Sequence, residues 1–306
     1  MEAKAVDALV ERVTRTTPGR TPNPRVKAIV DRIVRDLMHT MNDFEVTPDE
    51  FWTVCDYLTR LGRSGEAGLL APGLGFEHFL DLLEDERDLK AGLNANGTPR
   101  TIEGPLYVIG APEHQGFGRL DIDADPDAEP LFMSGVVRDA NGKPIAGARV
   151  EVWHANSKGG YSVFDSSQTP FNNRGTIVTD ANGRYSFQST MPSGYSCPPG
   201  SCTQEMLDAL GRHGSRPAHI HCFVSAPGFR KLTTQINIQD DPLIDDDFAF
   251  ATREGLVPDV RRVSDPAAMK ARGVDRPFAE IEFGFTMVEA REGLNDGEVE
   301  RPRAAA

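Results

Sequence analysis

Apolar positions in the first hundred residues recur at helical spacing. Val26, Ile29, Val30, Ile33, Leu37 and Met41 form one stripe of an amphipathic helix that Pro24 is placed to open. Thr47 with Glu50 spells a capping box ahead of a second stripe, Phe51, Val54, Leu58 and Leu61. Val6, Leu9, Val10 and Val13 predict an earlier helix, and Glu77 to Asp88 a later one. From about Leu106 the period changes to short alternating runs with turn signals. Asn141-Gly142 lies between Ser134 to Arg138 and Ala148 to Trp153, and Asn182-Gly183 lies between Thr176 to Thr179 and Arg184 to Gln188. Both arrangements predict β-hairpins. Further strands are expected at His219 to Ser225, Lys231 to Ile238 and Ala279 to Val288. The chain therefore reads as mainly β with an α-helical N-terminal region: helical residues 1–105, then an antiparallel β-sandwich over 106–306.

Composition narrows the function. The 306 residues carry 33 Lys and Arg against 46 Asp and Glu, a formal charge of −13. That balance, without a run of basic residues, lacks the electrostatic footprint of a nucleic-acid binder. No stretch approaches the roughly 18 apolar residues of a membrane span. The opening Met-Glu-Ala-Lys-Ala-Val-Asp has no basic n-region or apolar h-region, so a cytoplasmic protein is expected. Cys55, Cys197, Cys202 and Cys222 are too few for a disulfide scaffold and suit a reducing compartment.

The densest local chemistry is Arg216-Pro217-Ala218-His219-Ile220-His221. Alternation on a strand points His219 and His221 the same way, within reach of one metal ion or simply as a polar strand surface. Two histidines leave a metal short of ligands. Cys197, Cys202 and Cys222 offer a zinc alternative, but Cys222 directly follows His221 and faces away from it, and Cys197-x4-Cys202 has no second pair. Tyrosine oxygens offer another. Tyr161 and Tyr195 sit in Gly-rich loops, where the ordinary role is half-buried packing with a wet hydroxyl; Tyr185 alternates within a strand and is expected to be structural.

Four segments carry a family resemblance: TPRTIEGPLYVIGAP (Thr98 to Pro112), VEVWHANSKGGYSVFD (Val150 to Asp165), Pro192 to Gly200, and GRHGSRPAHIHCFVSAPGFRKLTTQIN (Gly211 to Asn237). The chain resembles the intradiol ring-cleaving dioxygenases, and within them the catechol 1,2-dioxygenases. The likeness continues through DDFAFATREGLV (Asp246 to Val257) and the Phe278-Ala279-Glu280 strand to Arg301-Pro302-Arg303. It implies one mononuclear non-haem Fe(III) per subunit, held by Tyr161, Tyr195, His219 and His221, with a hydroxide completing the set. A ferric ion favours anionic oxygen donors, and only a strong cation turns two phenols that ionise near pH ~10 into phenolates. The resemblance further implies intradiol cleavage of catechol by O2 to cis,cis-muconate, in aromatic-compound catabolism and the beta-ketoadipate pathway. Tyr195 becomes the exchangeable ligand and base, Arg216 the electrostatic stabiliser of activated substrate, and Gln235 a residue beside the iron. Leu70, Ile102, Pro105, Leu106, Cys197 and Phe248 become walls for the ring. Ser201 and Cys202 replace the Gly-Pro usual in the family. The resemblance also implies a homodimer through the N-terminal helices, with a phospholipid at the interface. Two alternatives stand beside this: a hydroxyquinol or chlorocatechol 1,2-dioxygenase, and a non-enzymatic transthyretin-like binding module suggested by Ser134 to Val150.

Overall fold

A computed structural model describes residues 1–92, 97–290 and 304–305. Arg301-Pro302-Arg303 and Ala306 lie outside the described residues. Five helices come first: α1 (Ala3–Thr14), α2 (Pro24–Asp43), α3 (Pro48–Ser64), α4 (Ala67–Gly73) and α5 (Phe76–Lys90). Then follow β1 (Val108–Ile109), β2 (Glu113–Gln115), β3 (Phe117–Arg119), β4 (Pro130–Asp139), β5 (Arg149–His154), β6 (Arg174–Val178), β7 (Arg184–Thr190) and β8 (Tyr195–Ser196). The rest is α6 (Cys202–Ala209), β9 (Ser215–Arg216), β10 (His219–Ser225), β11 (Leu232–Asn237), β12 (Arg261–Val263), α7 (Pro266–Arg272), β13 (Phe278–Glu282), β14 (Phe285–Met287) and β15 (Ala304–Ala305). The chain divides into two compact units, Met1–Ser64 and Gly65–Ala306. The change from helix to strand falls later, between Lys90 and Val108.

The predicted caps are present. Pro24 opens α2 while the Asn23 side chain accepts from the Arg25 and Val26 amides. Ahead of α3, the Thr47 amide donates to Glu50 Oε2 at 2.8 Å and the Glu50 amide to Thr47 Oγ1 at 3.3 Å. Three helices had gone unread. α4 carries a proline, Pro72, in its last turn, and α6 and α7 are only two turns each, too short for a periodic stripe. Ser201 caps α6, its hydroxyl accepting from the Gln204 amide at 3.1 Å, so the departure from Gly-Pro begins a helix.

Two sheets build the second unit. One runs β11-β10-β5-β6-β2, the other β12-β13-β4-β7-β3, with β14 also on β4. The central pairs are antiparallel as expected, whereas β2 on β6, β3 on β7, and β13 and β14 on β4 are parallel. Alternation faces Val150, Val152, Ile177, Ile220, Cys222, Val224 and Ile236 of the first sheet toward Leu131, Met133, Val137, Tyr185, Phe187, Ile281 and Phe285 of the second. The expected strand from Ala279 to Val288 is two pieces broken at Phe283-Gly284, both on β4.

The two predicted hairpins are not hairpins. β4 and β5 belong to different sheets, and so do β6 and β7. Each Asn-Gly lies in a loop of the same sequence, Asp-Ala-Asn-Gly, that the aspartate closes. Asp139 Oδ1 accepts from the Asn141 and Lys143 amides, and Asp180 Oδ1 from the Asn182 and Arg184 amides. After the first loop one bridge forms, Arg138 with Pro144, and Pro144 has no amide with which to continue a ladder. The chain then passes to the opposite layer.

Gly135 on β4 sits where the β13–β14 link crosses. A Cβ there would fall 1.7 Å from the Phe283 carbonyl oxygen, the atom to which Tyr185 Oη donates at 2.8 Å. Gly135→Ala is expected to destabilise the protein by about 3 kcal/mol, the upper range of over-packing, read as a lowered urea midpoint; an unchanged midpoint would mean the crossing yields freely.

Candidate metal centre

The outer face of the five-stranded sheet carries the chemistry. With Ile220, Cys222 and Val224 directed into the core, His219, His221 and Phe223 project to the opposite side. Cys222 is thereby separated from His221, which removes the zinc alternative built on it. Register places Gln235 and Trp153 on either side of His221, and Arg174 beyond Trp153. Trp153 stacks flat on His221, with ring centroids 4.8 Å apart and 5° between planes. Trp153, Phe223 and Tyr161 form an apolar cluster under the site.

The histidines converge. His219 Nε2 and His221 Nε2 are 3.1 Å apart. His219 Nδ1 donates to the Pro217 carbonyl at 2.6 Å, and because a carbonyl only accepts, the lone pair is on Nε2. Burial pulls the His219 pKa down to about 3, with Arg216 acting in the same direction, so the ring stays neutral.

Both tyrosines reach the same place on loops. Asn156 Oδ1 accepts from the Lys158 and Gly160 amides, shaping the turn that presents Tyr161. Gly159 allows that loop to press on the next: a Cβ there would fall 2.9 Å from the Gly194 carbonyl oxygen and 3.1 Å from Tyr195 Cβ, at a φ of +83°. The two tyrosine rings meet edge to face at 5.3 Å, and Tyr195 lies 5.5 Å from the His219 ring. The two-residue ribbon β8–β9 pairs Tyr195 with Arg216. The buried Tyr161 hydroxyl makes no well-formed hydrogen bond. Burial pushes its pKa well above that of an ordinary phenol, Tyr195 adds to the shift, and Arg216 opposes it.

Arg216 is 3% exposed and fully engaged. Its Nε and Nη2 donate to the two Asp247 carboxylate oxygens at 3.1 and 2.9 Å, Nη2 also reaches Gln235 Oε1 at 2.8 Å, and Nη1 lies 3.1 Å from His219 Nε2. Burial by itself would lower the Arg216 pKa, but Asp247 reverses this and holds it above the ordinary value. Burial likewise would raise Asp247, and Arg216 keeps it lowered. Asp247 was not singled out in the sequence. Its signal was a carboxylate directly before Phe248-Ala249-Phe250-Ala251, an apolar run that buries it and donates the Ala249 and Ala251 amides to it.

A cavity of about 290 Å³ opens beside Arg216 and the two tyrosines. Tyr161, Tyr195 and Arg216 border it together with Ile102, Pro105, Leu106, Cys197 and Phe248. Leu70 is not in its wall. Leu69 and Pro72, three apart on α4, present that face instead, and Leu70 is buried elsewhere. Burial raises the Cys197 thiol to about 11, so it lines the cavity as a neutral, soft wall.

The donors fit a metal. Two imidazole nitrogens 3.1 Å apart and a buried phenol oxygen without a well-formed partner are groups that one cation satisfies together. Imidazole nitrogen with phenolate oxygen is a set suited to ferric iron.

Asp247→Ala leaves the Arg216 guanidinium buried without its counter-charge. A loss of about 3–5 kcal/mol is expected, measured by chemical denaturation, while Asp247→Asn, which keeps an acceptor, loses less. Equal losses in the two variants would mean that charge compensation is not the interaction at stake.

Two family profiles match the chain: the dioxygenase profile over residues 102–287 and the catechol dioxygenase N terminus over residues 23–92. A catechol 1,2-dioxygenase 2 of Acinetobacter lwoffii is 62% identical over 262 residues, covering 86% of this chain and 94% of that protein. The crystal structure of wild-type Acinetobacter radioresistens catechol 1,2 dioxygenase superposes with a TM-score of 0.93 at 50% identity, covering 100% of this chain and 99% of that one. A hydroxyquinol 1,2-dioxygenase of Rhizobium sp. is more distant, 34% identical with 79% of this chain and 82% of that protein covered. On the strength of both profiles and these likenesses, the chain belongs to the intradiol dioxygenase family.

Proposed function

We propose that this protein cleaves catechol between its two hydroxylated carbons, incorporating both atoms of O2 to give cis,cis-muconate. The observation that carries the reading is the meeting of His219 Nε2 and His221 Nε2 at 3.1 Å, with the His219 ring 5.5 Å from Tyr195 and Tyr195 in turn 5.3 Å from a Tyr161 whose buried hydroxyl lacks a well-formed partner, both tyrosines bordering an apolar cavity. Tyr161, Tyr195, His219 and His221 would hold one ferric ion. Bound there, the ion would supply Lewis acidity toward the oxygens of the diol.

The remaining work falls to the chain. Ile102, Pro105, Leu106 and Phe248 give a flat ring apolar walls and keep water from it. Tyr195 borders the cavity at the start of β8, and its Oη, held as a phenolate, would accept a catechol proton when the diol arrives. Arg216, fixed by Asp247 and Gln235, presents a preorganised positive charge to the anionic substrate. The convergent Tyr and His groups favour an enzyme over a transthyretin-like binding module. The relative at 62% identity is named for catechol, whereas the one named for hydroxyquinol is at 34%, so unsubstituted catechol is the proposed ring. A cytoplasmic location accords with the absence, among the described residues, of a helix able to cross a membrane.

We further infer a homodimer in which the helical residues 1–105 form the interface. The stripe that predicted α2 is left uncovered: Val26, Ile29, Val30, Ile33 and Leu37 are all exposed. An apolar face of that extent is suited to a second copy and to the acyl chains of a phospholipid.

The as-isolated protein is expected to contain one iron per chain, to show a visible tyrosinate-to-iron absorption band, and to take up one O2 per catechol. A colourless, iron-free protein that is inert toward catechol would overturn the assignment, and faster turnover of hydroxyquinol would move the substrate. Tyr161→Phe and His221→Ala should each abolish turnover, whereas Tyr185→Phe, whose hydroxyl serves the core, should leave the band in place. Sedimentation should return twice the 33.4 kDa chain mass, and Val30→Glu with Ile33→Glu should return the monomer.

A further inference from the structure

Arg174 stands apart from the other buried cation of the site. It is only 2% exposed, yet no carboxylate pairs with it among the described residues. Its three hydrogen bonds go to uncharged oxygens: Nε to Ser162 Oγ at 3.0 Å, Nη2 to the Ser162 carbonyl at 3.1 Å, and Nη1 to the Leu106 carbonyl at 2.8 Å. The carboxylates that the register puts on this face are engaged elsewhere: Glu151 accepts from Tyr107 Oη at 2.8 Å, and Glu113 pairs with Arg149. The Arg174 guanidinium carbon lies 5.7 Å from the centroid of the Tyr161 ring. Burial pulls the Arg174 pKa down to about 10, and the groups that act to raise it are phenols, Tyr161 before Tyr107.

A buried guanidinium without a counter-ion is unfavourable unless an anion is supplied in the working state. Arg216 has Asp247 for that purpose. What Arg174 faces is the ring of Tyr161, whose phenol becomes an anion when it serves as a metal ligand. The two tyrosines are held differently: Arg174 hydrogen-bonds both polar oxygens of Ser162, the residue next to Tyr161, whereas Tyr195 is held by the β8–β9 pairing and by Ser196 Oγ against Ser215 Oγ at 2.7 Å. The same guanidinium ties that loop to Leu106 in the cavity wall.

We propose that Arg174 is a positioning residue for the iron centre: a buried cation that fixes the Tyr161 loop through Ser162 and Leu106 and holds its positive charge 5.7 Å from the centre of the Tyr161 ring. The proposal rests on the iron site proposed above. It adds a residue that touches neither substrate nor metal and acts through the tyrosine.

The test uses the iron-loaded full chain and compares Arg174→Gln with Arg174→Lys. Losing the cation raises the donor orbital of the phenolate, so Arg174→Gln should move the tyrosinate-to-iron band to longer wavelength. Its iron affinity, from competition with a chelator, should fall by about tenfold or more. Arg174→Lys, which restores the charge, should return the band to near its original position. A band that stays in place in Arg174→Gln, or moves equally in both variants, overturns the proposal. Should Arg174→Gln fail to fold, Arg174→Lys decides alone: an unmoved band supports the proposal and a displaced one overturns it. A parent protein with no tyrosinate band fails the iron reading itself, a result distinct from either of these.

Discussion

Everything at the site depends on the two-residue repeat of side-chain direction in β10. Alternate residues of that strand meet incompatible demands, apolar groups for the space between the sheets and imidazoles for the opposite face. A slip of one residue would put His219 and His221 into the core and Cys222 on the outside. Because β5 and β11 flank β10, the same register sets Trp153 against one side of His221 and Gln235 against the other. The imidazole is held in place by a stacked indole and by its neighbours on the sheet.

Burial makes the charges of this face expensive unless each is matched. The solutions differ from group to group. His219 stays neutral, Arg216 and Asp247 neutralise one another through two hydrogen bonds, and the hydroxyl of Tyr161 is left with its proton and no well-formed partner. The balanced pair behaves as structure. Tyr161 and Arg174 are left without such a partner: the hydroxyl has no well-formed hydrogen bond, and the guanidinium donates only to uncharged oxygens.

Much of this was legible in the residues. Alternation placed His219 and His221 on one face and separated them from Cys222, Pro24 marked the start of α2, and the cap of α3 followed from Thr47 with Glu50. The tyrosines came through the resemblance, since Gly-rich loops have no period from which direction can be read. The illegible parts have physical causes. Asn-Gly marks a reversal but not which strand accepts the returning chain, and here the aspartates at 139 and 180 close loops that carry it between layers. On α4, one residue separates Leu69 on the cavity from Leu70 off it, finer than sequence spacing resolves across a short helix with Pro72 in it. Asp247 and Arg174 were missed because a lone charged residue in sequence looks like surface; only the packing around it reveals that it is buried.

The cavity walls come from α4, from the 102–106 segment, from the segments carrying the tyrosines and from Phe248, while the histidines belong to the sheet. Scaffold and mould are therefore different parts of the chain. The mould can be recast by changing connections that the sandwich does not need in order to fold, so a rim of new shape could admit a bulkier guest while the anvil beneath it stays as it is.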